Sequence, residues 1–294
     1  MLTIRQTILN DYLKCAYKCF KGWGDVGELG KFEKEQSPQS KYSSCGIVVH
    51  EVMEYAGRSI IDNNVRPTLE ELVRMTEDKL YELPLELFEG EEEREEWRRS
   101  LLEQIEWLYE QTLMSNSIIE VEHNFSIENM FDGMPPFTGQ IDRIEGNLEA
   151  KDVSILDYKT GRKYTKKQVQ NSIQACIYSI AFYKEYNFLP KEFIFIFSKT
   201  KRVMKVPITL EFINRVSAEI IRIVTEMRNG HFDTNCDSKF FCNNFCDFRT
   251  ECPRYKQTKT QGWEAVMEGN KNGIQHNKQD LQYFLHNSVN NTNT

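Results

Sequence analysis

Apolar positions recur at three- and four-residue spacing early in the chain: Leu69, Leu72, Val73 and Leu80, then Trp97, Leu101, Ile105, Leu108 and Leu113. That period predicts amphipathic helices over about 51–116, read here as a helical insertion or cap. From Ser117 the period falls to two, through Ile119, Val121, Phe125 and Ile127, then Thr138 to Ile144 and Val153 to Tyr158. The turn clusters Asp132-Gly133 and Glu145-Gly146-Asn147 part these runs, so an antiparallel set of strands is expected. A helix over Lys167 to Tyr186, strands over Glu192 to Ser198 and Arg202 to Ile208, and a long amphipathic helix over Thr209 to Asn229 complete the pattern. The order is that of an α/β protein with a mixed central sheet flanked by helices.

The chain has 294 residues, 40% hydrophobic and 28% charged, which is enough for a sizeable core. Its longest apolar stretches, Cys176 to Tyr183 and Phe193 to Phe197, fall short of the roughly 20 residues of a membrane helix. With no apolar signal core at the start, an intracellular protein without a membrane partner is expected. The net charge of -7 conceals a polarity: residues 1–150 sum to -15 and residues 151–294 to +8. A phosphate-binding face is therefore open to the second half despite the acidic total. The run Glu82 to Glu96 reads as a solvated helix start. Residues 1–257 read as one domain and 258–294 as a polar, flexible tail, whose apolar knot Lys278 to Leu285 suits either a docking peptide or a helical turn on the core. No Walker-type phosphate loop is present in the chain.

The densest chemistry lies in Gly139-Gln140-Ile141-Asp142 and, fifteen residues on, Asp157-Tyr158-Lys159-Thr160-Gly161. Residues two apart on a strand share a face, so Asp157 and Lys159 point the same way and Asp142 can join them. Two carboxylates suit a hard divalent cation bound through oxygen, and a lysine beside them suits negative charge developing on a phosphodiester. Glu149-Ala150-Lys151-Asp152 offers the same residue types without an apolar frame and is set aside. His50 and Glu54 lie one helical turn apart, as do Gln174 and Tyr178. An imidazole can complete a metal shell, and a glutamine with a tyrosine can hydrogen-bond a nucleic acid strand.

In order and spacing, Gly46/His50, Gly139/Asp142, Asp157/Lys159 and Gln174/Tyr178 resemble the PD-(D/E)XK nuclease superfamily, in its RecB-like branch. The resemblance covers residues 46–178 and implies a restriction-endonuclease-like fold. It also implies catalysis by Asp142, Asp157 and Lys159, with Mg²⁺ or Mn²⁺ on His50, Asp142 and Asp157. Gln174 and Tyr178 would support the site or contact DNA. The implied activity is a metal-dependent DNA exonuclease or end-processing nuclease of recombination or repair, working beside a helicase or recombination protein. The alternative is a catalytically idle module of the same fold that binds DNA or a partner protein, its metal site being structural. The basic segment 158–167 adds Arg162, Lys163, Lys166 and Lys167 as phosphate contacts, with Tyr158 and Tyr164 interleaved for stacking on a single-stranded or frayed end.

Eight cysteines without a secretory signal favour metal ligation, catalysis or core packing over disulfides. Cys15 before the core and Cys242, Cys246 and Cys252 in the segment 236–256 resemble the four-cysteine [4Fe-4S] arrangement of some RecB-like nucleases, including AddB-type and CRISPR-adaptation exonucleases. Two departures stand: three residues rather than two separate Cys242 from Cys246, and Ala16 follows Cys15 where the family has proline. Cys19 and Cys236 are therefore alternative ligands, and Cys15/Cys19 with Cys242/Cys246 would also make a Zn²⁺ site. Cys45 and Cys176 sit among apolar residues and read as core.

Overall fold

The computed structural model describes residues 3–23, 40–112, 117–234 and 238–263. In chain order its helices and strands are α1 (Gln6–Lys14), α2 (Ala16–Trp23), α3 (Lys41–Asn63), α4 (Leu69–Glu82), α5 (Glu91–Thr112), β1 (Ile118–Ile127), β2 (Phe137–Asn147), β3 (Asp152–Lys159), α6 (Lys166–Gln170), α7 (Ile173–Tyr186), β4 (Glu192–Phe197), β5 (Arg202–Pro207), α8 (Leu210–Arg228), α9 (Lys239–Phe245) and α10 (Pro253–Gln261). The chain divides into two compact units. A sheet unit comprises Gln36–Met130 and Phe137–Ile213, and a terminal unit comprises Met1–Glu35, Phe131–Pro136 and Asn214–Thr294. None of the described helices is long and apolar enough to cross a membrane.

The sheet runs β1-β2-β3-β4-β5, antiparallel throughout except for the parallel pair β3/β4. Helices α6 and α7 make the crossover that a parallel pair requires. The architecture is the mixed, helix-flanked α/β sheet expected from the hydrophobic pattern. Helix α3 starts at a capping box between Ser40 and Ser43, and α4 starts at one between Thr68 and Glu71. Their apolar stripes, with that of α5, bury Val48, Val52, Leu72, Leu80, Leu101 and Ile105 against Leu156, Tyr158, Ile194 and Ile196 of the sheet. The helices over 51–116 are therefore not a separable insertion. They supply one wall of the main core, at roughly 1.5–3 kcal/mol for each fully buried aliphatic side chain.

The expected helix over Lys167 to Tyr186 is broken in two. Asn171 leaves the helical path and Ser172 caps α7 by accepting from the Ala175 N–H, the local hydrogen bonding that favours these residues at helix ends. Residues 258–261, expected in the polar tail, belong to α10, which Pro253 starts at its first turn. Lys278 to Leu285 lies outside the described residues.

Gly139 is needed for packing. A Cβ built there would lie 2.6 Å from Phe125 Cζ and 3.1 Å from Tyr178 Cε1, both rings being buried. Gly139→Ala is expected to cost about 1–3 kcal/mol, the usual penalty of overpacking. A urea midpoint equal to wild type would show that this contact yields freely.

Candidate active site

The sheet unit gathers the predicted residues at the edge of β2 and β3. Asp142 on β2 accepts the Tyr158 N–H through Oδ2 at 2.7 Å, and the same oxygen lies 3.5 Å from Nδ1 of His50 on α3. Asp157 on β3 is 2% exposed. Its Oδ1 accepts from Gln174 Nε2 at 2.5 Å, while its Oδ2 lies 2.7 Å from Lys159 Nζ. The lysine ammonium is thus the immediate neighbour of this buried oxygen. Tyr158 faces the opposite side, where its ring meets the His50 imidazole edge-to-face at 6.1 Å and its hydroxyl accepts from Arg143 Nη1. The tyrosine of the Asp-Tyr-Lys run thus supports the histidine, while its backbone N–H holds Asp142.

The structure adds Glu122 on β1. Its carboxylate, the His50 imidazole and Asp142 place ligand atoms within 4.8 Å of one another. Glu122 has φ 50°, and the strand changes face there. Val121 lies against Gly57 of α3, whereas Phe125 packs against Tyr178 of α7. Strict alternation would put positions four apart on the same face, so the left-handed turn at Glu122 re-aims the strand and its carboxylate. The sequence pattern named only Ile119, Val121, Phe125 and Ile127 in this strand and passed over Glu122. A carboxylate inside a strand that also ends in a buried aromatic was the available signal.

Electrostatics matches the geometry. Burial and then repulsion from Asp157 push the Asp142 carboxyl well above the ordinary aspartate range. Burial and then Glu54 push Glu122 up to about 7, and burial pushes His50 down. Burial opposes the Lys159 ammonium, but the Asp157 carboxylate outweighs it and keeps the lysine charged beyond its usual range. Crowded carboxylates with an imidazole beside them are a donor set that a hard divalent cation relieves. A divalent cation therefore fits His50, Glu122 and Asp142, with the Asp157 carboxylate close enough to act on them electrostatically. The other such group among the described residues, Glu120, His123 and Glu185, is closed by ion pairs from His123 to both glutamates.

Gln174 and Tyr178, expected among the DNA contacts, are 5% and 6% exposed. Gln174 fixes Asp157, and Tyr178 packs on Phe125 and Phe193, so burial favours the supporting role over the DNA contact. Tyr158, expected to stack on bases, is 3% exposed and lies beneath His50, which removes it from that role. Tyr164 packs edge-on against Phe195 and Phe197. Arg162, Lys163, Lys166 and Lys167 are exposed just beyond β3, as a phosphate-binding segment requires. The decoy at 149–152 is an exposed hairpin turn.

In the terminal unit, Cys15, Cys242, Cys246 and Cys252 all line one solvent-open cleft, together with Arg249 and Arg254. Cys15 lies between α1 and α2, Cys242 in α9, Cys246 just after it, and Cys252 caps α10. Cys19 is absent from this lining; its thiol is buried and donates to the Ile8 carbonyl. Cys236 lies outside the described residues. Among the described residues no three cysteine sulfurs lie within 4.8 Å of one another. Cys45 and Cys176 are core, 1% and 0% exposed.

The mixed sheet carries two aspartates and a lysine on β2 and β3 with a histidine of α3 beside them, the arrangement of a nuclease fold. The chain belongs to the PD-(D/E)XK nuclease superfamily, whose sequence profile matches residues 4–253. Among curated proteins none matches it by sequence. Among solved structures, a candidate exonuclease from Eubacterium rectale is similar at 13% identity and a TM-score of 0.44, over 83% of this chain and 88% of the other.

Proposed function

We propose that the protein is a metal-dependent DNA exonuclease or end-processing nuclease of the RecB-like branch, serving recombination or repair beside a helicase or recombination protein. The observation that carries this reading is the meeting of His50, Glu122 and Asp142, with the Asp157–Lys159 pair on the adjoining strand. Bound by the carboxylates and the imidazole, Mg²⁺ or Mn²⁺ would supply the Lewis acidity that phosphodiester hydrolysis needs. Gln174 keeps Asp157 in one rotamer, and the Tyr158 N–H does the same for Asp142. Lys159, held charged by Asp157, offers its ammonium to negative charge building on the phosphate. Cys15, Cys242, Cys246 and Cys252 hold a [4Fe-4S] cluster in this proposal, and Arg249 and Arg254 offset its charge.

Digestion of end-labelled linear strands and of circular single-stranded DNA in Mn²⁺ tests the activity. Loss of label from linear DNA with circles left intact is expected; cleavage of circles at the same rate would refute an end requirement. The DNA path has its own test in the fourfold replacement of Arg162, Lys163, Lys166 and Lys167 by Gln. Each lost phosphate contact lowers the salt slope of binding by roughly 0.7 for single strands. An unchanged slope would move the path to Lys199, Lys201, Arg202 and Lys205.

A further inference from the structure

Tyr42 is among the most exposed large side chains of the sheet unit, at 65%, yet it is not isolated. It lies on α3 eight residues before His50, with Gly46 midway, so Tyr42, Gly46 and His50 form one stripe along the helix. At 1.5 Å per residue the tyrosine stands about 12 Å along the axis from the metal-type centre. Gly46 keeps that stripe close to the Asp-Tyr-Lys-Thr segment, since a Cβ there would meet Thr160 Oγ1 at 3.1 Å. A second route leads to the same place. Ser198 donates its N–H to the Lys159 carbonyl and its buried hydroxyl to Gln104 of α5, and Lys199 follows directly. Trp97, two turns before Gln104 on α5, meets Tyr42 edge-to-face at 5.5 Å and carries Lys199 Nζ 5.2 Å above its ring.

We propose that Tyr42, backed by Trp97 and Lys199, is a stacking subsite for an unpaired base of the substrate strand; this rests on the nuclease reading. At the stacked rise of about 3.4 Å per nucleotide, the held base lies about three to four nucleotides from the scissile phosphate. Trp97 fixes the tyrosine ring against rotation, and Lys199 is the cation within reach of the adjoining phosphate. Lys41 is tied to Glu93, with Glu89 nearby, and its ammonium lies 6.0 Å over one face of the Tyr42 ring, which leaves the other face for a base. Those carboxylates disfavour a phosphate at Tyr42 itself but not the uncharged face of a base. An aromatic face of this kind tolerates any sequence, as end trimming requires.

The test uses the full chain with fluorescent oligothymidylate, binding being read by anisotropy in EDTA and cleavage in Mn²⁺. Tyr42→Ala should weaken binding and raise KM by about fivefold or more, with kcat at saturation little altered. Tyr42→Phe should restore both, because stacking needs the ring and not the hydroxyl. An oligonucleotide with an abasic nucleotide three or four positions from the cut should lose affinity for wild type but not for Tyr42→Ala. Wild-type affinity in Tyr42→Ala, or equal losses in Tyr42→Ala and Tyr42→Phe, overturns the subsite while leaving the nuclease intact. A wild-type protein that neither binds nor cuts the strand overturns the nuclease reading and the subsite with it.

Discussion

Asp157→Ala and Lys159→Ala are each expected to lower the rate of DNA cleavage by about 10²-fold or more, the scale of losing one preorganised electrostatic group. Asp157 touches both the Lys159 ammonium and the Gln174 amide, so its removal unseats two partners at once. The double variant should therefore be little worse than Asp157→Ala, since residues acting as a unit do not add. Asp142→Ala and Glu122→Gln belong to the same unit. Gln174→Ala should lose less, because it orients a carboxylate and has no path of its own to the phosphate. Single-turnover rates at saturating Mn²⁺ check the set, and a Lys159→Ala enzyme as fast as wild type would remove lysine from the mechanism.

The second large effect is on integrity. Protein purified without oxygen is expected to be brown with about four irons per chain. Cys246→Ser and Cys252→Ser should lose both colour and solubility, because the cleft joins sulfurs from segments more than 200 residues apart in sequence. Cys19→Ser should keep its iron, since that thiol faces the Ile8 carbonyl outside the cleft. Zinc found in place of iron would refute the cluster without touching the nuclease.

Much of this was legible before any coordinates. The shift from a helical to a two-residue period at Ser117 marks the start of β1 to within a residue, and the Asp-x-Lys spacing put two charges on one face of β3. Local chemistry carries such signals, because caps, turns and alternation act over a few residues. What stayed hidden depends on distant packing. Nothing in the order of residues 1–257 reveals that the two ends and Phe131–Pro136 share one compact unit. The face change at Glu122 depends on a single left-handed residue, so the strand pattern concealed a carboxylate of the site. Gln174 and Tyr178 fall on α7, and their burial, which no spacing reveals, favours a supporting role over a DNA contact. Tyr42 carried no motif, and its place beside Trp97 comes from two helices meeting over the sheet.

The central claim is that one buried centre cuts DNA with a divalent cation. The most direct measurement compares wild type and Asp157→Asn on an end-labelled single strand, each in Mn²⁺ and in excess EDTA. The account predicts cleavage by wild type in Mn²⁺ alone, with DNA binding retained under all four conditions. Cleavage that persists in EDTA, or in Asp157→Asn at the wild-type rate, would contradict it.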